Sequence, residues 1–348
     1  MRCLTEQSAR PRPEPVEGHG VALAPHITVL VNPAAGKGRG EAAAELAVRR
    51  LRELGAQVTV LEGDSAESTR RHAAAAVRDR PDAIVVVGGD GTLSSILEEI
   101  AHAEVPIALV PAGTGNDFAR AMGLPFGHHG SAAEAAALVL TGEATPVDVG
   151  SAHCPDGSAK FLTVAALGFD ALVSERTNRL KWPKGALRYY LALLIELARL
   201  RPLHFNVRID DESSSTLPGI LAAVGNTRSY GGGMPMCPEA DPSDGLFDLT
   251  LVGPLSRARL LRLFPLLLKA KHTGRSEVLT RRLERIEISA PGLIVYADGE
   301  KVGTESVRID MLPGALRVFA PYPSTGSGGG GAGSGGGAHS TTQAKEPK

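Results

Sequence analysis

The sequence predicts an α/β chain of two domains: a three-layer N-terminal unit around a parallel sheet, then a mainly antiparallel β unit. Three observations carry this. Strand-like and helix-like runs alternate regularly over residues 26–150. Beyond 150, strand-like runs follow one another with only two helical interruptions. And 348 residues suffice for two ordinary hydrophobic cores.

Residues 1–25 mix Arg, Pro, Glu and Gly and are expected to be disordered. Residues 26–31 form a buried strand run. Residues 41–54, rich in Ala, Leu, Arg and Glu, read as a helix that Gly55 ends. A short strand at 58–61 precedes a helix that Asp64 can cap and that stops before Pro81. The β-branched run 84–87 is a strand leading into Gly88-Gly89, and 107–110 is another. Ser131-Ala-Ala-Glu134 has the spacing of a capping box opening one more helix. In the second unit, 161–166, 206–209, 220–224, 246–252, 285–290 and 307–311 read as strands, with helices near 185–200 and 255–272. This unit spans 151–312. The run 316–320, within 313–322, can return to either domain. From 323 to 348, Gly and Ser dominate and predict a flexible tail.

Composition narrows the function. A formal net charge of −1 gives no overall field for nucleic acid. Three cysteines, Cys3, Cys154 and Cys237, without a CxxC pair, argue against a disulfide framework or structural zinc site. No apolar run approaches the ~18 residues of a spanning helix, and residues 1–21 lack the apolar centre of a secretory signal. The expectation is a cytoplasmic protein, peripheral at a membrane if it meets one.

Three glycine-rich loops follow strands of the first unit, at the carboxyl edge where open α/β sheets bind ligands. Asn32-Pro33-Ala34-Ala35-Gly36-Lys37-Gly38 can turn backbone N–H groups toward a phosphate, with Lys37 adding charge. It is not a Walker A loop, because Gly38 stands where Ser or Thr should follow the lysine. Gly88-Gly89-Asp90-Gly91-Thr92-Leu93 allows close backbone approach and offers a carboxylate; it can also be a glycine turn whose Asp or Thr caps a helix. Gly113-Thr114-Gly115-Asn116-Asp117 again opens a helix, and Asn116 or Asp117 can be its cap. Three such loops on one edge point to a bound phosphate compound.

Together, NPAAGKG, VVVGGDGT, PAGTGNDFAR, GGGMPMCPEADPSDGLFDL and YADGE resemble the diacylglycerol kinase catalytic family, over residues 27 to about 320 and in the family's order. The likeness extends to sphingosine and ceramide kinases, and the GGDG loop is shared with NAD kinases and 6-phosphofructokinases. The resemblance implies an N-terminal domain of NAD kinase/phosphofructokinase type, with ATP held at Asn32 to Lys37, Gly88 to Leu93, Thr114 and Asn116. It implies Mg2+ at the Asp244 carboxylate and the backbone carbonyls of Asp241 and Leu246; on its own, Asp244-Gly245 reads as a turn. It places the base that takes the acceptor's proton in Asp298-Gly299-Glu300, also a good hairpin turn. Glu300 is favoured, Asp298 comes second, and Asp90 of the GGDG loop is a third candidate. Where the family usually has Asn-Glu after GGDGT-x, this chain has Ser94-Ser95.

The expected partner is a lipid alcohol such as diacylglycerol at a membrane surface, not nucleic acid; a homodimer is left open. Residues 184–200 form an apolar helix that packs on the β-domain or walls an acyl chain. Residues 254–272 carry a formal charge of +5 and can meet an anionic membrane, though a solvated face explains them as well. Competing functions are an NAD-kinase-like or sphingosine-type kinase with another acceptor, and a non-catalytic nucleotide- or lipid-binding protein.

Overall fold

A computed structural model describes residues 24–180, 182–183 and 186–321. The predicted disordered ends lie outside these, apart from residues 24 and 25.

The first unit runs β1 (His26–Val31), α1 (Ala35–Glu53), β2 (Gln57–Glu62), α2 (Ala66–Asp79), β3 (Ala83–Gly88), α3 (Asp90–Ser95), α4 (Leu97–Ile100), β4 (Ile107–Pro111), α5 (Asp117–Ala121) and α6 (Ser131–Thr141). Its strands are parallel in the order β2-β1-β3-β4. Alternate strand residues face opposite ways, and both faces are covered. Leu30, Ile84, Val86 and Leu109 pack against Ala73 and Ala76 of α2 and Leu93 and Leu97 beyond β3. Val29, Val85, Val87 and Val110 pack against Ala47 and Leu51 of α1 and Ala135 and Ala136 of α6. This is the expected three-layer unit, and it explains why β3 is buried along its whole length.

The second unit contributes β5 (Glu143–Cys154), β6 (Gly157–Phe161), β7 (Val164–Gly168), α7 (Phe169–Arg179), α8 (Ala186–Ala198), β8 (Leu203–Ile209), β9 (Ser215–Gly219), β10 (Leu221–Gly225), β11 (Phe247–Val252), α9 (Arg257–Leu267), β12 (Val278–Leu283), β13 (Arg285–Ala297) and β14 (Glu300–Ala320). Its strands pair antiparallel. β14 lies beside β13 and then reaches β4 in parallel, with Val318 opposite Ile107. The final segment therefore returns to the first domain, and one sheet runs through both. The expected boundaries at 150 and 312 fall inside β5 and β14.

Local corrections have simple causes. α2 is capped by Ser65, whose hydroxyl accepts from Ser68 N–H, while Asp64 accepts from the Ser68 hydroxyl. α6 starts after Gly130 without a side-chain cap, so Ser131 and Glu134 form no capping box. The strand expected at 161–166 is two strands broken at Leu162-Thr163. α7 was not expected, and the strands expected at 307–311 and 316–320 are one, shifted in register between Leu312 and Leu316. Among the described residues no helix is long and apolar enough to cross a membrane.

Candidate active site

The three glycine-rich loops lie at the ends of β1, β3 and β4 and are tied together. Asn32 Nδ2 donates to Thr92 Oγ1 (3.0 Å), joining the first loop to the second. Arg39 donates to the Gly36 and Gly113 carbonyls (3.0 and 2.8 Å), joining the first to the third. The second and third loops nearly touch: a Cβ on Gly89 would lie 2.7 Å from the Gly113 Cα. Gly36 has φ of +58°, and a Cβ there would meet the Ala112 carbonyl oxygen at 1.9 Å, so only glycine fits. Asn116, also left-handed at φ 51°, donates to the Gly113 carbonyl, and its buried Oδ1 has no partner among the described residues.

Asp90 sits where the second loop meets the third. Its carboxylate oxygens accept the backbone N–H groups of Asp117 and Phe118, both at 3.1 Å. Burial pushes its pKa above the ordinary carboxylate range, against those two hydrogen bonds. Asp117 faces the other domain: its carboxylate accepts the Gly232 N–H at 2.7 Å and the Ser229 hydroxyl at 3.4 Å, and pairs with Arg120 at 2.9 Å.

Asp298 closes the same cleft from the β13–β14 turn. It accepts four donors: Leu162 N–H (2.9 Å), Thr163 N–H (2.8 Å), the Thr163 hydroxyl (2.5 Å) and the Ser94 hydroxyl (2.6 Å). The break between β6 and β7 supplies three of them. Ser94, a departure from the family pattern, supplies the fourth from the first domain.

Between these groups lies a cavity of about 710 Å³. One end is Asp90, Thr114, Gly115, Asp117, Thr163 and Asp298. One side is α7, through Asp170, Ser174, Thr177 and Asn178. Facing them are Tyr230, the glycines 231–233, Met234, and Phe264 and Leu268 at α9. A polar, acidic end and an apolar wall share one space.

Not every predicted residue reaches this cavity. Asn32 to Lys37 do not line it; Lys37 is solvent-exposed on the first loop. Leu93 is fully buried in the first domain's core, so its side chain packs rather than binds. Glu300 is exposed at the start of β14 and is not in the lining, whereas Asp298 and Gly299 are. Asp241 and Asp244 lie in a separate, arginine-lined cleft, and Leu246 follows Asp244 without lining it. There the Asp244 carboxylate accepts the Leu246 N–H at 3.0 Å and is ion-paired with Arg282. Asp241 accepts from Ser243 N–H and hydroxyl. Among the described residues no three acidic, histidine or cysteine side chains converge on one point. With the one side-chain carboxylate that the resemblance implies already paired to a guanidinium, this set does not fit a resident magnesium. Sequence reasoning missed Asp117 as an interdomain acceptor and Asp170 and Tyr230 as cavity residues. The GGG of 231–233 was the available signal, since it follows Tyr230 and meets Asp117.

Residues 26–152 match the diacylglycerol kinase catalytic domain, and residues 163–320 match the YegS C-terminal NAD kinase beta sandwich-like domain. Among curated proteins, the chain is 44% identical over 296 residues to "Diacylglycerol kinase" of Mycobacterium tuberculosis (strain CDC 1551 / Oshkosh), covering 85% of this chain and 95% of that one. It is 33% identical over 281 residues to "Probable lipid kinase YegS-like" of Stenotrophomonas maltophilia (strain K279a), covering 77% and 87%. A crystal structure of a diacylglycerol kinase from Bacillus anthracis str. Sterne shares the fold, with a TM-score of 0.65 at 22% identity over 86% of this chain and 98% of that one. The chain belongs to the diacylglycerol kinase family of lipid kinases, and it is a phosphate-transferring enzyme.

Proposed function

We propose that this lipid kinase moves the terminal phosphate of ATP onto the free hydroxyl of a diacylglycerol, with magnesium entering on the nucleotide as MgATP. The observation that carries this is the shared cavity, in which Asp90 and the Thr114-Gly115 loop face Met234, Phe264 and Leu268. Phosphate chemistry at one end and an apolar wall at the other suit a lipid alcohol better than a dinucleotide.

In the transfer, the acceptor oxygen bonds to the γ-phosphorus, the bond from that phosphorus to the bridging oxygen breaks, and ADP leaves. The loops' work is to position the phosphates; little covalent help is needed. The hydroxyl proton needs an acceptor within hydrogen-bond reach. Of the three carboxylates considered, Asp90 suits this role best. It lines the cavity, holds only two donors, and burial raises its affinity for a proton. Asp298 is held by four donors, so it suits positioning the two domains. Glu300 is exposed outside the cavity.

The membrane surface is part of the same proposal. Leu261 and Leu268 at α9 are 53% and 55% exposed, and Leu268 also lines the cavity. Arg262, Lys269 and Lys271 on this segment make no ion pair among the described residues, which suits an anionic bilayer. The test is phosphate transfer from ATP, with Mg2+, to a panel of lipid alcohols in mixed micelles. Phosphatidic acid from diacylglycerol is the expected product. Transfer to NAD, or to none of the lipids, overturns the proposal.

A further inference from the structure

Asp170 is the cavity carboxylate with the fewest partners. It is 7% exposed. Its single hydrogen-bond donor among the described residues is the Tyr230 hydroxyl. Among the described residues no cation pairs with it: Arg176 is paired with Glu196, Arg179 and Lys301 with Glu175, and Arg120 with Asp117. The titratable groups sharing its cavity, Asp90, Asp117 and Asp298, are themselves acids. A buried carboxylate this poorly satisfied is costly unless a ligand supplies a donor.

Asp170 is also not alone. Residues 170, 174, 177 and 178 share one face of α7, and that whole face, with Ser174, Thr177 and Asn178, lines the cavity. The opposite wall is apolar. A diacylglycerol brings one hydroxyl donor, and the transfer uses it. Its two esters offer only acceptors, so Asp170 gains nothing from that substrate. A glycerol head with a second free hydroxyl would meet it.

We propose that the enzyme also phosphorylates monoacylglycerols, and that Asp170, oriented by Tyr230, accepts a hydrogen bond from the hydroxyl that is not phosphorylated. The inference rests on the same transfer chemistry and cavity as the diacylglycerol proposal. One hydroxyl oxygen attacks the γ-phosphorus and passes its proton to Asp90; the other stays intact on Asp170. Asp170 is then a specificity residue that touches substrate, and Tyr230 is a positioning residue.

The experiment measures kcat/KM for a monoacylglycerol and for a diacylglycerol of the same acyl chain, in the full chain and in Asp170→Asn and Tyr230→Phe. With wild type, both acceptors are phosphorylated. Asp170→Asn should lower kcat/KM about 10- to 100-fold for the monoacyl acceptor, the worth of a hydrogen bond to a charged group. For the diacyl acceptor, which brings no spare hydroxyl to Asp170, the fall should be clearly smaller, so the ratio of the two should drop. A second readout needs no variant. Burial pushes the Asp170 pKa up to about 6, and the protonated acid is a poorer acceptor. The ratio of monoacyl to diacyl kcat/KM should therefore fall as pH drops through about 6, while effects of Asp90 cancel in the ratio. Removing the Tyr230 donor should move that fall to higher pH, because the bond favours the ionised form. Equal loss on both acceptors in Asp170→Asn, a pH-independent ratio, or no monoacylglycerol turnover by wild type overturns the inference. Turnover of monoacylglycerol without diacylglycerol leaves it standing and removes the diacylglycerol proposal instead.

Discussion

At the scale of single residues, the three carboxylates considered as the base differ in what already holds them. Asp298 accepts four donors, Asp90 two, and Glu300 stands in solvent. Asp90→Asn should cut kcat about 10²- to 10⁴-fold, the usual worth of a positioned base, whereas Glu300→Gln should change it less than about 3-fold. The pH profile follows from the sign of the shift. Burial raises the Asp90 pKa, and the base must be ionised, so activity is lost as pH falls through a value above the ordinary carboxylate range. Steady-state kinetics of both variants from pH 4 to 8 checks this, and a larger loss in Glu300→Gln would refute the choice of Asp90. Asp244 gives a second test. Its carboxylate is paired with Arg282, so Asp244→Asn should leave the Mg2+ concentration for half-maximal activity unchanged. A clear rise in that concentration would restore the metal role that the family resemblance implies.

At the scale of elements, the site is a set of loops held by one another. Gly89→Ala shows how tight this is. The added Cβ would lie 2.7 Å from backbone of the third loop, which cannot step aside like a flexible side chain. The two glycine-rich loops must separate, so ATP turnover should be abolished and stability should fall by about 1–3 kcal/mol, the cost of overpacking. A variant with normal turnover would show that the loops need not touch. The loops themselves were legible in the sequence because each glycine cluster directly follows a β-branched strand. The first sheet was legible because strands buried on both faces read as continuous apolar runs. α7 was not, because Phe169 to Val173 is apolar except at Asp170 and reads as a continuation of the apolar run 161–166. β5 was hidden by its polar and Gly-Ser stretches. The partners of Asp117 and Asp298 were beyond reach for another reason. Those bonds join residues 115 and 135 apart, brought together only by the packing of two domains.

At the scale of the whole molecule, the two domains share a sheet rather than meeting through a linker. β14 pairs with β13 at its start, with β5 from Arg308 to Ala320, and with β4 at Val318. Boundaries between independent domains fall where few contacts cross, and here the crossing is a strand in the middle of the sheet order. Asp148 fastens this crossing. It is 3% exposed, and its carboxylate accepts the Gly245 and Gly314 N–H groups, both at 2.7 Å. Its carbonyl accepts the Asn226 side-chain amide, which also donates to Leu162 beside the Asp298 site. Calorimetry of the wild-type chain should therefore show one cooperative transition, with equal calorimetric and van't Hoff enthalpies. Asp148→Ala strands two backbone donors and should destabilise by about 3 kcal/mol, lowering Tm by roughly 5 °C or more. The decisive feature is that the single transition should move as a unit. If Asp148 fastened only the β-domain, its loss would split the trace, leaving a second transition near the wild-type temperature for residues 26–150. Two transitions in the variant would limit Asp148 to one domain, and two in the wild type would show that the continuous sheet does not couple the nucleotide loops to the acceptor domain.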